Sequence, residues 1–293
     1  MLSRETIQLK TPEQVRHMRR AGLVVADIHA ALREAVRPGV TTAELDAVSA
    51  DVIARAGAHS NFLGYYDYPA TVCISVNEEV VHGIPGPRVL QAGDLVTFDC
   101  GAYILDDAGT QWHGDAAFTM VVGGSYATDT DRVLDTTTRR ALWDAIAAVA
   151  RAAAGQASGR AGRLNAVGDA VEAAVAQTAE NDGARLGILE EYVGHGIGTA
   201  MHMAPDVLNY SVRHRGPRLR PGMVLAIEPM LTAGGPEVDE LDDGWTVVTR
   251  DGSRAAQWEH TVALVPGGVW VLTAPDGGVE GLAPYGLAPQ PLD

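Results

Sequence analysis

The order of helix and strand signals repeats once along the chain, and this repeat constrains the fold more than any other feature. Two helices open the chain, each beginning at a capping box in which Thr11 is paired with Gln14 and Thr41 with Glu44. Apolar residues then recur at helical spacing, and short β-branched runs bounded by Pro and Gly follow. A second pair of helical segments and a second β-rich stretch come next. The predicted helices span 12–36, 41–57, 129–154 and 163–180, and the predicted strands span 71–76, 95–100, 116–122, 191–194, 223–228, 245–249, 257–265 and 269–273.

Two rounds of two helices and a sheet predict an α+β fold, in which two similar halves share one core. No repeat is visible at the level of sequence identity, so this prediction rests on the pattern alone. We expect a single domain over residues 1–275. The linker AGQASGRAG (154–162) and the Gly- and Pro-containing tail at 276–293 show no periodicity, so we expect both to be irregular.

Acidic residues stand at the edges of apolar runs, where carboxylates are unexpected. Asp99 ends LVTFD, Glu228 ends VLAIE, Glu259 precedes HTVALV, and Asp115 precedes a further strand. One such residue alone would most simply form a salt bridge or meet water at a strand end. Four in one core would repel one another strongly, and neither aspartate has a Lys or Arg within a few residues. The pattern therefore indicates that a cation offsets their charge.

Histidine adds to this pattern. His195 lies among glycines in GHGIG, and glycines permit close backbone approach to a ligand. Four carboxylates and one imidazole fit two divalent cations, and such a pair can deprotonate a bridging water at neutral pH. His82 in VVHGIP and His202 in AMHMAP are further candidates, although a loop histidine in water explains each equally well. HExxH, GxSxG and phosphate-loop motifs are absent, and GHGIG lacks the context of a dinucleotide-binding motif.

Six segments taken together resemble the methionine aminopeptidase family in its short bacterial type I form, one of the M24 or pita-bread peptidases. They are YPATVCISVNEEVVHGIP (68–85), LVTFDCG (95–101), WHGDAAFTMVVG (112–123), YVGHGIGTAMHMAPDVLNY (192–210), GMVLAIEPML (222–231) and DGWTVVTRDGSRAAQWEHTVAL (243–264). The resemblance implies the pita-bread fold, with two pseudo-symmetric α+β halves around a central curved antiparallel sheet. It also implies a dinuclear metal site, whose ligands match Asp99, Asp115, His195, Glu228 and Glu259.

The same resemblance implies an activity and the residues that carry it. The family removes N-terminal Met from nascent proteins and peptides, prefers a small second residue, and uses a metal-bridged hydroxide. Glu228 would act as ligand and general base, His82 would assist proton transfer near the substrate amine, and His202 would contact the scissile carbonyl. The pocket for the Met side chain matches Phe62, Tyr65, Tyr68, Cys73, Met201 and Trp245, with both of these histidines beside it. The two metals could be Mn, Fe, Co or Zn, because oxygen ligands with one His accept all four.

Two features depart from the family pattern. Asp99 and Asp115 are farther apart in sequence than the family's aspartate ligands usually are. A longer hairpin with Asp106 and Asp107 at its tip would keep both ligands on one face, since Asp-Ala-Gly suits a turn. His113 is the strongest rival ligand nearby. Phe62 is bulkier than the usual residue and could narrow the Met pocket.

Composition and charge limit the partners. The net charge of −15 and the absence of signal-like or membrane-spanning apolar runs favour a cytoplasmic protein that binds neither DNA nor membranes. Cys73 and Cys100 form no disulfide framework. One basic cluster, RHRGPRLR (213–220), could contact ribosomal RNA, although an exposed charged loop would look the same. We expect a monomer. The alternatives are a proline-specific or other pita-bread aminopeptidase, and a non-catalytic binding protein on the same fold.

Overall fold

The computed structural model describes residues 6–155 and 162–292. Its helices are α1 (Pro12–Ala35), α2 (Thr42–Arg55), α3 (Asp129–Ala154), α4 (Ala166–Asp182) and the short α5 (Val279–Leu282). Its strands are β1 (His59–Ser60), β2 (Val72–Val76), β3 (Glu79–Val81), β4 (Leu95–Leu105), β5 (Gln111–Val121), β6 (Gly187–Ile188), β7 (Gly194–Gly196), β8 (Met203–Val207), β9 (Val224–Ile227), β10 (Met230–Thr232), β11 (Val238–Glu240), β12 (Val247–Thr249), β13 (Ala255–Gln257), β14 (His260–Val265) and β15 (Gly268–Val271). Single 3₁₀ turns occur at Tyr65–Asp67, Val122–Gly124 and Ala283–Tyr285.

The first half packs α1 and α2 against a sheet in which β1 and β2 pair with one edge of β4, and β5 pairs with the opposite edge along the whole of β4. Both predicted capping boxes form, at Thr11 and Thr41. The buried face of α1 lies very close to β5, because a Cβ on Gly114 would lie 2.8 Å from the backbone nitrogen of Gly22. Only glycine permits this approach, so the start of β5 packs directly against the backbone of α1.

The second half repeats this plan with α3, α4 and a five-stranded sheet in the order β15–β14–β9–β7–β8. The buried side of α3 contributes small and aliphatic residues to a core shared with that sheet. Two smaller sheets, β13–β10–β6 and β11–β12–β3, complete the molecule, and every strand pair is antiparallel. Helices and sheets thus follow the predicted order in both halves.

The two halves are joined by hydrogen bonds between β5 and the segment that leads into β14. The backbone nitrogen of Glu259 donates to the carbonyl of Ala117 at 2.9 Å. Thr261 Oγ1 donates to the Asp115 carbonyl at 2.7 Å and accepts from the Asp115 backbone N–H at 3.0 Å. This seam therefore places two acidic residues, one from each half, side by side.

Several predicted bounds need correction. The run 257–265 is two strands, β13 and β14, because the chain leaves one sheet and enters another at Trp258 and Glu259. The strand predicted at 191–194 begins only at Gly194. Residues 163–165 are not helical, since they pair with residues 215–218 of the basic cluster. Of the predicted linker, residues 156–161 lie outside the described residues.

The tail was predicted to be irregular, and part of it is ordered. Helix α5 and the following turn pack on α3, and Leu282 is fully buried. The contact is tight, because a Cβ on Gly281 would lie 2.2 Å from the ring of Trp143. Helix α5 was missed because its four residues are too few to show helical periodicity. Within the described residues, no helix is both long and apolar enough to cross a membrane.

Candidate active site

The hairpin of β4 and β5 sets the positions of the two predicted aspartate ligands. Asp99 is paired with Ala117, and Asp115 is paired with Gly101. Residues two apart on a strand share a face, so both carboxylates project from the same face of the hairpin. The long sequence separation is therefore accommodated by longer strands, as predicted.

The tip of this hairpin contains the other two acidic residues. Asp106 Oδ1 accepts from the backbone N–H groups of Ala108 at 2.9 Å and Thr110 at 2.8 Å, and Oδ2 accepts from Trp112 Nε1 at 2.9 Å. Asp107 is exposed in the turn. Both lie away from the cavity described below, so the structure places them as turn residues.

Both ring nitrogens of His113, the rival ligand, have hydrogen-bond partners outside the cavity. Its Nδ1 bonds to Asn61 Oδ1 at 2.8 Å, and its Nε2 lies 3.3 Å from Gln111 Oε1. His113 does not line the cavity that contains Asp99 and Asp115. These contacts hold the loop that contains Asn61 against the hairpin.

The remaining three predicted ligands come from the second half. His195 lies in β7 opposite Ala226, Glu228 follows β9, and Glu259 precedes β14. Because His260 pairs with Ile227, the same register brings Glu228 opposite Glu259. His195 Nδ1 bonds to the carbonyl of Gly196 at 3.0 Å, and its Nε2 lies 3.5 Å from Glu228 Oε1. The imidazole thus points its second nitrogen at the carboxylates.

All five predicted ligands line one cavity, where Asp115, Glu228 and Glu259 are buried and Asp99 is half-buried, with one of its carboxylate oxygens out of contact with solvent. Burial raises the pKa of Asp99, opposed by a hydrogen bond from Gln257. Burial and then the charge of Asp99 raise the pKa values of Asp115 and Glu228 well above their usual range. Burial followed by the charge of Asp115 does the same to Glu259. No Lys or Arg is among the described residues that line the cavity, so no side chain offsets this charge.

The geometry of the cluster fits a bound cation. One carboxylate oxygen each of Asp99, Asp115 and Glu259 is buried without a hydrogen-bond partner in the described part of the chain. One potential ligand atom each of Asp115, His195 and Glu259 lies within 4.8 Å of the others. Buried carboxylate oxygens without a partner destabilise the folded protein unless a metal ion binds them. Hard oxygen ligands with one imidazole suit a divalent ion.

The eight residues predicted to contact substrate line the same cavity, whose volume is about 230 Å³. Six of them belong to one apolar cluster next to the carboxylates: Phe62, Tyr68, Cys73 and Met201, with the partly buried Tyr65 and Trp245 packed against them. The rings of Tyr68 and Trp245 meet edge to face, with centroids 5.0 Å apart. The cavity is therefore polar and acidic at one end and apolar at the other.

Two histidines lie between these ends. His202 lies close to His195, with ring centroids 4.4 Å apart, and its Nδ1 is 2.9 Å from the hydroxyl of Tyr65. His82 adopts a positive φ of 61° and packs edge-on against Trp245 and Tyr192. Burial, and then the nearby charge of His202, lowers the pKa of His82 to about 4. Burial also lowers the pKa of His202. Both rings are consequently neutral near neutral pH.

Several residues at the site were missed from the sequence. Tyr66, Tyr192, Val193 and Met230 also line the cavity. Gln257 is fully buried, and its Nε2 lies 3.5 Å from Glu228 Oε2. Strand alternation could have identified two of them, since Met230 is two residues from Glu228 and Gln257 is two residues from Glu259. The others come from loops, which carry no periodic signal.

Comparisons with known proteins agree with this geometry. Residues 16–266 match metallopeptidase family M24. Methionine aminopeptidase 1 of Mycobacterium tuberculosis is 44% identical over 271 residues, which cover 92% of this chain and 96% of that protein. The crystal structure of methionine aminopeptidase from Thermotoga maritima superposes with a TM-score of 0.81 at 34% identity, over 92% of this chain and 99% of the other.

A more distant structure shows how far the fold extends. Prolidase from Pyrococcus furiosus superposes with a TM-score of 0.65 at 20% identity, over 91% of this chain and 65% of that chain, and this likeness concerns the fold alone. The two halves and their antiparallel sheets are thus the pita-bread arrangement. From the M24 match and the close similarity to methionine aminopeptidases over nearly the full length of both chains, we conclude that this chain belongs to metallopeptidase family M24, in its methionine aminopeptidase group.

Proposed function

We propose that this protein is a metal-dependent methionine aminopeptidase, which removes the N-terminal Met of peptides and nascent proteins and prefers a small second residue. The observation that carries the proposal is the cavity itself. Four carboxylates and an imidazole meet an apolar pocket for one side chain. A substrate Met in that pocket would present its free amine and first peptide bond to the acidic end.

The metal ligands in this proposal are Asp99, Asp115, His195, Glu228 and Glu259. Two divalent ions, Mn, Fe, Co or Zn, would bring the charge of four carboxylates near balance. Bound metal would supply Lewis-acid polarisation of the carbonyl and a more acidic water. The protein's part is to hold the ligands on rigid strands, on both sides of the seam between the halves.

The size of the cavity supports removal of a single residue. Its volume of about 230 Å³ is below the roughly 300–1,000 Å³ of pockets for drug-sized ligands, so it holds one side chain and the atoms beside it. The ring of Phe62 is 8% exposed and forms one side of the apolar cluster. Its bulk would limit how deeply a side chain enters.

Neutral histidines and Glu228 would handle the protons. If the Tyr65 hydroxyl donates to His202 Nδ1, the imidazole carries its proton on Nε2 and can donate it to the carbonyl oxygen as charge develops there. Glu228 would accept the proton of the attacking water, because its carboxylate lies among the proposed metal ligands at the acidic end of the cavity. His82 would hydrogen-bond the substrate near its amine.

Cleavage of Met-X-Ser peptides across a series of residues X, with a panel of divalent metals, tests the proposal directly. We expect cleavage after Met that declines as X becomes larger, and no cleavage of peptides with an acetylated N-terminus. Preferential cleavage of Xaa-Pro peptides would instead favour a proline-specific aminopeptidase. The likeness to prolidase covers the fold only, so it does not by itself support that alternative.

A non-catalytic binding protein is the alternative from another class. All five ligand positions are occupied by residues that can bind a metal, which favours an enzyme. Metal analysis after reconstitution separates the two. Fewer than one bound ion per chain, together with no peptide cleavage, would favour the binding protein.

We further propose that the protein acts as a monomer in the cytoplasm and contacts the ribosome through the basic segment 213–220. Its four arginines are exposed, and its backbone is held by residues 162–165, with Leu164 N donating to Pro217 O at 3.1 Å. Cys73 and Cys100 are buried free thiols, which suits a reducing compartment. Ribosome pelleting should show less co-sedimentation when Arg213, Arg215, Arg218 and Arg220 are replaced by Ala, and unchanged pelleting would contradict the contact.

A further inference from the structure

A second, larger cavity lies behind the candidate active site, and no step of the proposed reaction uses it. Its volume is about 750 Å³. Trp258 and His260, which flank Glu259, line it together with Phe118 of β5. Because alternate residues of a strand face opposite sides, the segments that point carboxylates into the active site point aromatic rings into this second cavity.

Two arginines stand over those rings. The guanidinium of Arg33, on α1, lies 3.7 Å from the ring centroid of Phe118 and 5.7 Å from that of Trp258. The guanidinium of Arg139, on α3, lies 5.2 Å from the same Trp258 ring. Two cations from different helices therefore share one indole.

Neither guanidinium has a hydrogen-bond acceptor or an ion-pair partner within residues 6–155 and 162–292. The buried carboxylate on this side, Asp135, is already engaged, because it accepts from Tyr126 at 2.6 Å and from Trp258 Nε1 at 2.7 Å. Burial and then the charge of Arg139 lower the pKa of Arg33, while Asp135 acts in the opposite direction. Both guanidiniums thus lie at one indole near Asp135, whose hydrogen bonds are made to Tyr126 and Trp258 and not to either arginine.

The remaining wall is formed by the tail, which lies beyond the matched family region at 16–266. Helix α5 and Tyr285 close this side, and the tight contact of Gly281 with Trp143 fixes their position. Asp276 accepts from the backbone N–H groups of Gly278 and Glu280, so its carboxylate is occupied. The Glu280 side chain remains as an acceptor on the wall across from the arginines.

We propose that this rear cavity binds a nucleotide, with its phosphate between Arg33 and Arg139 and its base against the indole of Trp258 or Trp143. Paired guanidiniums match phosphate oxygens, and both tryptophans are partly exposed and line the cavity, where a planar base can contact them. The volume suits a ligand of that size. This function is independent of peptide cleavage, so either proposal can fail without the other.

Titration of the metal-loaded protein with AMP, adenosine and inorganic phosphate, followed by calorimetry and tryptophan fluorescence, tests the proposal. We expect AMP to bind more tightly than either fragment. Arg33→Ala and Arg139→Ala should each weaken AMP binding about tenfold, the loss of a charge-assisted hydrogen bond. Arg132→Ala is the matched control, because Arg132 lies on the same helix as Arg139 but is paired with Asp129 at the surface. It should leave AMP binding unchanged.

Three results would overturn the proposal. They are no saturable AMP binding at millimolar concentration, binding that survives both arginine substitutions, and binding of phosphate or adenosine as tight as that of AMP. Binding at the active-site metal would produce the second result, so the variants separate the two cavities. If an alanine variant unfolds, Arg33→Lys and Arg139→Lys retain the charge and lose the bidentate geometry, and weaker AMP binding is again expected.

Discussion

The front and rear cavities lie on opposite sides of the same strand segments, and their chemistry is reversed. The front cavity, the candidate active site, contains four carboxylates and no Lys or Arg among its described lining residues. The rear cavity contains Arg33 and Arg139 over aromatic rings, and Arg140 also lines it. Residues that alternate along these segments thus place carboxylates on one face and aromatic rings on the other, and arginines from α1 and α3 make the second face basic.

The two cavities differ in how the charge of their side chains is stabilised. In the front cavity the carboxylates are buried, and their raised pKa values indicate that the protein alone does not stabilise them. In the rear cavity Arg33 and Arg139 reach solvent and rest on rings, where cation–π contacts of about 0.5–1 kcal/mol partly offset their charge. The front site therefore requires a cation far more strongly than the rear site requires an anion.

The largest expected effect is on catalysis. Glu228→Gln keeps the shape of the side chain but removes a proposed ligand and general base, so kcat/KM should fall by at least about 10²–10⁴-fold. Asp107→Asn is the matched control, because it removes an exposed carboxylate at the hairpin tip and should keep the wild-type rate. Steady-state kinetics on a Met-Ala-Ser peptide measures both. A Glu228→Gln variant with near-normal rate would show that the front cavity is not the active site.

The next effect is on stability, and it should have opposite signs with and without metal. A divalent ion at 100 times its Kd should stabilise the wild type by about 2.7 kcal/mol. Glu259→Gln should reduce that gain, and in chelator it should be more stable than the wild type, since one of four mutually repelling carboxylates becomes neutral. Urea unfolding with metal and with chelator provides the comparison. Equal metal stabilisation of both proteins would contradict the proposed role of Glu259.

A smaller effect is expected where the two ends of the front cavity meet. Tyr65→Phe removes the hydroxyl that contacts His202 Nδ1, and with it the fixed orientation of the imidazole. The loss of one hydrogen bond, about 0.5–1.5 kcal/mol, predicts a two- to tenfold fall in kcat. In a His202→Ala background the same substitution should cost nothing further, and a double-mutant cycle of kcat values shows whether it does. An unchanged loss in that background would mean that Tyr65 acts on the substrate directly.

The sequence could bring together the carboxylates that line the front cavity because they carry a common signal. Each of Asp99, Asp115, Glu228 and Glu259 stands at the edge of an apolar run, and although one such residue has an ordinary explanation, four of them indicated a shared site. The rear cavity could not be predicted in this way. Arg33 and Arg139 are ordinary exposed helical arginines in the sequence, and only the packing of α1 and α3 brings them to the same indole.

For the fold, too, the elements with a clear signal in the sequence were predicted, and those that depend on tertiary packing were missed. Long periodic helices and capped starts were confirmed, since their stability is largely local. The break between β13 and β14 was missed, because residues 257–265 contain no Gly or Pro to mark where the chain changes sheets. Helix α5 was missed because its stability comes from contact with α3, which the sequence of the tail does not reveal.

The smallest effect should be found at the hairpin tip, which belongs to neither cavity. Asp106→Ala removes the acceptor for Ala108, Thr110 and Trp112, so the melting temperature should fall slightly while kcat/KM stays at the wild-type value. The hydrogen bond from Trp112, followed by that from the Thr110 backbone, lowers the pKa of Asp106. Its contribution is therefore complete above the unfolded pKa of about 3.9 and is lost as pH falls toward the lower folded value. Thermal melts from pH 7 to pH 2 should show the two proteins converging only below about pH 4. A constant difference at every pH would mean that the tip is stabilised by packing and not by the carboxylate.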